Sequence, residues 1–260
     1  MTLPLRIVIR TRTPWETMTI KDFYAQSGPQ SPSEFLRVGG MLLPAWEEAT
    51  GLNFFQYRGA IRNRCESALR KFGIPITVGA DAVDWSSEDE LLIPIDDDDI
   101  LYPSVTTVED RITSDTNLVI WKRITNYLGN ERAELHTFGG QLDTCNWGIR
   151  KSFLMNWTAG VRHHILSKHW HAAGLMYERL GGPPADMSLL ERAKRSIRPS
   201  TGVMLNHPSI LHLEECHSVY YLHSASISFL TYKIGKIENQ VEVLRNLPLH
   251  PMYRCESVPC

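Results

Sequence analysis

The chain has 260 residues, 43% of them hydrophobic and 22% charged, with a formal net charge of -2. Such a composition suits a globular protein with a sizeable core, and the balanced charge supplies no basic field to draw nucleic acid or an anionic membrane. No apolar run approaches the roughly 18 residues a membrane span needs. The start, MTLPLRIVIRTR, carries charges inside its apolar stretch, so no secretory leader is expected. The five cysteines (Cys65, Cys145, Cys216, Cys255 and Cys260) are odd in number and widely spaced, which reads as reduced thiols in the cytoplasm, with no CxxC pair for zinc.

In chain order, LRIVIRTR (5–12) is β-branched and apolar and predicts a first strand, ending in the polar stretch Arg10 to Thr13. QSGPQSPS (26–33) predicts a loop. Phe35, Val38, Leu42, Leu43 and Trp46 recur at near-helical spacing, interrupted by Gly39, Gly40 and Pro44, so one broken helix or two short ones follow. LNFFQYR (52–58) predicts the second strand, and AIRNRCESALRKFG (60–73) a helix stopped by Gly73. IPITVG predicts a short strand and ELLIPI (90–95) a buried one.

The second half continues with NLVIWKRITNYL as a strand, or two with a turn, and QLDTCNWGIRKSFLMNW as a loop entering a helix. VRHHILSKHWHAAGLMYERLGG is helical in part. PPADMSLLERAKRSI has Ser188 and Glu191 at capping-box spacing and predicts a capped helix. SILHL and SVYYLHSASISF predict strands, and KIGKIENQVEVLRNL a final helix. Strands alternating with helices in the first hundred residues predict βαβ units in a mostly parallel sheet, whose ligands bind beyond the carboxyl ends of the strands. Both RTRT and DDDD lie at such ends and are expected to face one crevice.

The acidic run is the strongest chemical signal. LLIPIDDDDILYP (91–103) sets Asp96, Asp97, Asp98 and Asp99 directly after an apolar strand, with Pro103 closing the turn. Four adjacent carboxylates repel one another unless a cation sits among them. Mg²⁺ or Mn²⁺ takes oxygen ligands and keeps positions for substrate phosphates. A solvated acidic loop, a chance calcium site and a helix N-terminus bias are the competing accounts of the run.

IDDDDILYP resembles the hydrophobic-Asp-x-Asp-Asp-hydrophobic-Leu-x-Pro pattern of GT-A glycosyltransferases, in their family-2-like branch. FLRVGGMLLPAWEEATGLNFFQY is similar to a segment of rhamnosyltransferase-type proteins at Arg37, Leu43, Pro44, Thr50, Asn53 and Phe54. GQLDTCNWGIRKSFL is similar to their Asn-x-x-x-Arg-(Lys/Arg) segment, and the likeness covers residues 5 to 155. It implies an α/β fold with a Rossmann-like, mostly parallel nucleotide-binding sheet and a smaller acceptor-side region. One domain over 1–260 follows, with a nucleotide-sugar half at 1–105 and an acceptor half with a C-terminal helix at 106–260. It implies a donor nucleotide sugar, a hydroxyl acceptor (a glycan, a lipid-linked or a small molecule) and Mn²⁺ or Mg²⁺. Asp96 takes the ribose side and Asp98 the ion, with Asp99 beside it as ligand or support. Asp97 stands where the pattern has a small or neutral residue, which leaves the register open by one position.

Inverting transfer to a hydroxyl needs a proton acceptor, normally a carboxylate. Asp186, at a helix start after Pro183 and Pro184, resembles the Asp of the family's Glu-Asp pair, although Ala185 replaces the Glu. A plain helix N-terminal role competes, and Asp143 and Glu191 are the next candidates. By the same resemblance His223 is a late metal ligand, with His212 competing and a structural role open for both. RHHILSKHWH (162–171) does not place its histidines at zinc-helix spacing and reads as a solvated or acceptor-facing surface. Arg10, Thr11, Arg12, Arg62 and Arg150 are candidates for the donor's diphosphate, and the tryptophans are core residues first and sugar-stacking rings second. The rival functions are a nucleotidyltransferase and a non-catalytic calcium or carbohydrate-binding module. The first is disfavoured because RTRTPWET has no glycine to let backbone approach a phosphate.

Overall fold

A computed structural model describes residues 3–10, 14–19, 43–127, 130–136, 145–167, 208–226, 230 and 239–254. The strand β1 (Leu5–Ile9) is followed by the helices α1 (Leu43–Thr50) and α2 (Phe54–Arg70). Next come β2 (Ile76–Val78), β3 (Leu91–Ile95), β4 (Ile100–Leu101), β5 (Leu118–Tyr127), β6 (Asn130–His136) and β7 (Trp147–Arg150). The helices α3 (Lys151–Leu154) and α4 (Ala159–Ser167), the strand β8 (Ile210–Leu222) and the helices α5 (Gln240–Arg245) and α6 (Pro251–Arg254) complete the order. Among the described residues, three 3₁₀ turns punctuate it at Trp15–Thr17, Ala80–Ala82 and Pro103–Arg111.

The chain divides into two compact units. The first comprises Met1–Arg12, Ala68–Thr125 and Glu134–Tyr220; the second comprises Thr13–Ser67, Asn126–Ala133 and Tyr221–Cys260.

The fold is α/β, with an eight-stranded sheet of order β2-β1-β3-β7-β5-β8-β4 and β6 added on β5. The expected parallel pairing holds for β2-β1-β3, with Ile7 opposite Ile76 and Ile93. Beyond β3 the described pairings are antiparallel: β3 with β7, β7 with β5, and β8 with β4. The sheet is therefore mixed. The two faces alternate by residue, as a pleat requires. Leu5, Ile7, Ile9, Leu91, Ile93, Ile95, Val119 and Trp121 bury one face. Val8, Leu92, Leu118 and Ile120 bury the other, against Leu154, Ile165 and Leu166 from α3 and α4.

β3 and β4 lie four places apart in the strand order, yet only Asp96–Asp99 link them, and Asp99 N–H donates to Asp96 O at 3.2 Å. One tight turn cannot span four inter-strand spacings of about 4.8 Å each. The sheet must curl, and the acidic turn bridges the curl. Leu101, Val105 and Val108, from β4 and the 3₁₀ turn after it, fill that side of the core.

Two further details position the site. Leu91 N–H donates to Pro4 O, and Arg10 N–H donates to Ile95 O. Odd-numbered residues of β3 thus face β1, and Pro94 turns its ring nitrogen toward the β7 side. There the described pairs are Leu91 with Arg150 and Leu92 with Ile149. Gly148 is required where β7 runs beside β3, since a Cβ there would meet Leu91 Cδ2 at 2.7 Å.

Several elements differ from expectation. LNFFQYR opens α2 and is not a strand. Phe54, Tyr57, Ile61, Cys65 and Leu69 are all buried and keep one helical face through all 17 residues. Asn53 caps that helix, its Oδ1 accepting from Gln56 N–H at 3.1 Å. The segment read as a loop before α3 contains β7, and SILHL joins SVYYL in the single strand β8. Pro44 sits inside the first turn of α1, where its missing N–H costs nothing. The loop at 26–33 and the capped helix at 183–197 lie outside the described residues.

Candidate functional site

Arg10 directly follows β1, and Asp96 directly follows β3. Because the two strands are parallel and in register through Ile9 and Ile95, their next residues meet. Arg10 Nη1 donates to Asp96 Oδ1 at 2.9 Å. The Arg10 side chain is only 6% exposed, and its Nε and second terminal nitrogen have no hydrogen-bond partner among the described residues. The cation beside the acidic run is thus the protein's own, and it retains donors for an anion. Leaving buried guanidinium donors unfilled is costly, which favours a bound acceptor at this point.

The remaining carboxylates alternate around the turn. Asp97 and Asp99 are buried and Asp98 is half-buried. The exit of the turn is fixed to β8: Tyr102 N–H donates to His217 O at 2.9 Å, and Ser104 Oγ lies 3.0 Å from His217 Nδ1. Burial holds the His217 imidazolium below its ordinary pKa, with Glu215 pulling it up and Arg111 pushing it down. The sequence shows none of this, since Ser104 and His217 are 113 residues apart.

Arg150 does not belong to this site. It stands opposite Leu91, at the start of β3, whereas the aspartates follow its end. There Arg150 Nε bonds Asp89 Oδ2 at 2.7 Å, while Ser152 N–H and Oγ also donate to Asp89. Burial works to raise the Asp89 pKa, but these bonds outweigh it and hold the carboxyl below its ordinary value. Lys151, buried beside it, gives its ammonium to Ser87 O and Ser87 Oγ at 2.8 and 2.7 Å, with Glu90 Oε1 at 3.6 Å. The Arg-Lys pair thus anchors the β7–α3 corner.

His223 lies in the second unit and is fully buried. Its Nε2 is 3.2 Å from Arg58 Nη1, and its Nδ1 is 3.3 Å from the Ala225 nitrogen. With the His250 ring centroid 4.9 Å away, both nitrogens face partners inside a packed cluster. This geometry assigns His223 to packing in place of the expected metal ligation. Among the described residues no group of three or more His, Cys, Asp or Glu side chains is arranged to hold an ion. His212 is half-buried on β8. Arg62 is buried on α2 in the second unit. Thr11, Arg12, Asp143, Asp186 and Glu191 lie outside the described residues. Trp15, Trp46, Trp121 and Trp147 are buried core residues, as expected, and Trp157 packs at the core margin.

The fold brings together one further pair. His163 on α4 has Nδ1 2.6 Å from Asp81 Oδ1 in the 3₁₀ turn after β2. The only sequence signals for it were Asp81 just past a strand end and a histidine-rich run.

Compared with family models, curated proteins and solved structures, the chain gives no match. No helix among the described residues is long and apolar enough to cross a membrane.

Proposed function

We propose that the chain transfers a sugar from a nucleoside-diphosphate sugar to an acceptor hydroxyl. One observation carries the reading. A buried arginine with unfilled donors meets a four-aspartate turn at the carboxyl ends of adjacent parallel strands, where α/β sheets bind their ligands. The donor's diphosphate matches both halves: its oxygens suit the guanidinium, and its charge suits a cation on the carboxylates.

The donor set fits Mg²⁺ or Mn²⁺. The oxygens are hard, and such ions ordinarily take one or two protein carboxylates and complete their shell with water and phosphate. Asp98 and Asp99 would hold the ion, which when bound neutralises charge building on the departing nucleoside diphosphate. Asp96, tied to Arg10, would orient the ribose side. The resemblance of IDDDDILYP to the GT-A motif supports the same assignment.

The test is a thermal-shift panel of UDP, GDP and dTDP with and without Mn²⁺. A ligand at a hundred times its dissociation constant stabilises by about 2.7 kcal/mol. For a protein of this size that raises Tm by about 5–10 °C. The expected result is a rise with one nucleotide that needs Mn²⁺. No shift with any of the three rejects the proposal.

A further inference from the structure

We infer that His163, held by Asp81, is the group that takes the proton from the acceptor hydroxyl. This rests on the glycosyl-transfer reading and adds to it a residue for the chemical step.

Position is the first argument. Gly79 N–H donates to Ile9 O at 2.7 Å, and Arg10 N–H donates to Ile95 O at 3.0 Å. The carboxyl ends of β2, β1 and β3 therefore stand side by side. Asp81 follows Gly79 in the turn that leaves β2. Two inter-strand spacings of about 4.8 Å put it about 10 Å from Asp96, a gap that a hexose and one phosphate fill.

The face agrees as well. Val8 and Leu92 point to the side covered by α4, and pleat alternation assigns Arg10 and Asp96 to the same side. α4 packs against the turn that carries Asp81. Arginine, aspartate run and histidine pair thus share one edge and one face of the first unit.

The chemistry fits the pair. The His163 and Asp81 side chains are 43% and 44% exposed, open to a diffusing acceptor. His163 Nδ1 lies 2.6 Å from Asp81 Oδ1, so the carboxylate sits where it can steady the ring and offset a positive charge formed on it during the step. In the step, the acceptor oxygen bonds to the anomeric carbon. The bond from that carbon to the phosphate oxygen breaks, and its electron pair leaves on the nucleoside diphosphate. The hydroxyl proton passes to His163 Nε2, Asp81 stabilises the imidazolium, and the proton then returns to solvent. No further reagent is needed.

The experiment measures nucleoside diphosphate released from UDP-glucose, GDP-mannose and dTDP-rhamnose with Mn²⁺, using methyl glycosides as acceptors. His163→Ala should lower kcat by about 10²–10⁴, leave nucleoside-diphosphate affinity unchanged, and recover activity with added imidazole. Asp81→Asn should lower kcat by less, with KM unchanged. His163→Gln provides a second variant should the alanine protein melt early. Undiminished turnover in the folded His163 variants, or a loss that imidazole does not restore, overturns the assignment. A collapse of kcat in Asp186→Asn alone overturns it too. Absence of wild-type turnover with all three donors overturns the glycosyl-transfer reading itself, and the base falls with it.

Discussion

Asp98 is the residue on which the metal assignment turns. Asp98→Ala should abolish the Mn²⁺-dependent Tm rise with a nucleoside diphosphate while leaving the fold intact. Removing one charge from a crowded turn should also raise the Tm of the metal-free protein. Retained Mn²⁺ dependence in that variant removes Asp98 from the ion. Arg10→Met separates the other half of the site, because it should shrink the nucleotide-induced Tm rise while the remaining rise still needs Mn²⁺. His217 sets a pH dependence of stability. Its folded pKa lies below the ordinary 6.5, so above that value both folded and unfolded chains carry it neutral. On acidification the unfolded chain takes the proton first, and stability falls between the unfolded and the folded pKa. Urea midpoints at about pH 7.5 and about pH 5.5 should differ more for wild type than for His217→Gln. Equal differences would acquit the residue.

At the scale of elements, legibility followed pattern length. β1, β2 and β3 were read correctly because short β-branched runs bounded by Gly, Pro or charge have few alternatives. α2 was misread at its start because Phe54, Phe55 and Tyr57 favour strands locally, and only the continuation through Ile61 and Cys65 shows the helical period. β7 was missed because Trp147–Arg150 is four residues long and owes its strand state to β3 and β5 on either side. Of the candidate site, the acidic turn and Arg10 were legible from strand ends. The Arg150–Asp89 pair and the Ser104–His217 bond are products of topology and leave no local trace, and the Asp81–His163 contact leaves only a strand end and a histidine-rich run, which do not pair the two residues. The tight β7–β3 contact makes a sharp prediction. Gly148→Ala should cost about 1–3 kcal/mol by overpacking against Leu91. Combined with Leu91→Ala, the loss should fall short of the summed single losses by about 0.5–3 kcal/mol. Strict additivity would mean that the contact relaxes elsewhere.

At the scale of the whole molecule, neither compact unit is a continuous stretch of chain. Unit boundaries were not readable from composition, since no Pro- or Gly-rich linker marks them. A fragment ending at residue 105 keeps β1, β2 and β3 but lacks β7, which covers the other edge of β3, and β5 beyond it. Leu91, Leu92 and Ile93 are fully buried in the intact chain. The fragment should therefore expose an apolar strand edge and melt without a cooperative transition. A single sharp transition in the isolated fragment would show that the parallel trio is self-sufficient.

The proline in β3 has one more effect, on where the ladder ends. β7 runs antiparallel with Leu92 opposite Ile149, and that register carried on by two residues sets Pro94 opposite Trp147. The Pro94 nitrogen has no hydrogen to give a β7 carbonyl there, and the described pairing with β7 stops at Leu92. Pro94 thus works as a ladder terminator: β3 stays bound to β1 as far as Ile95, and Asp96 goes on to Arg10.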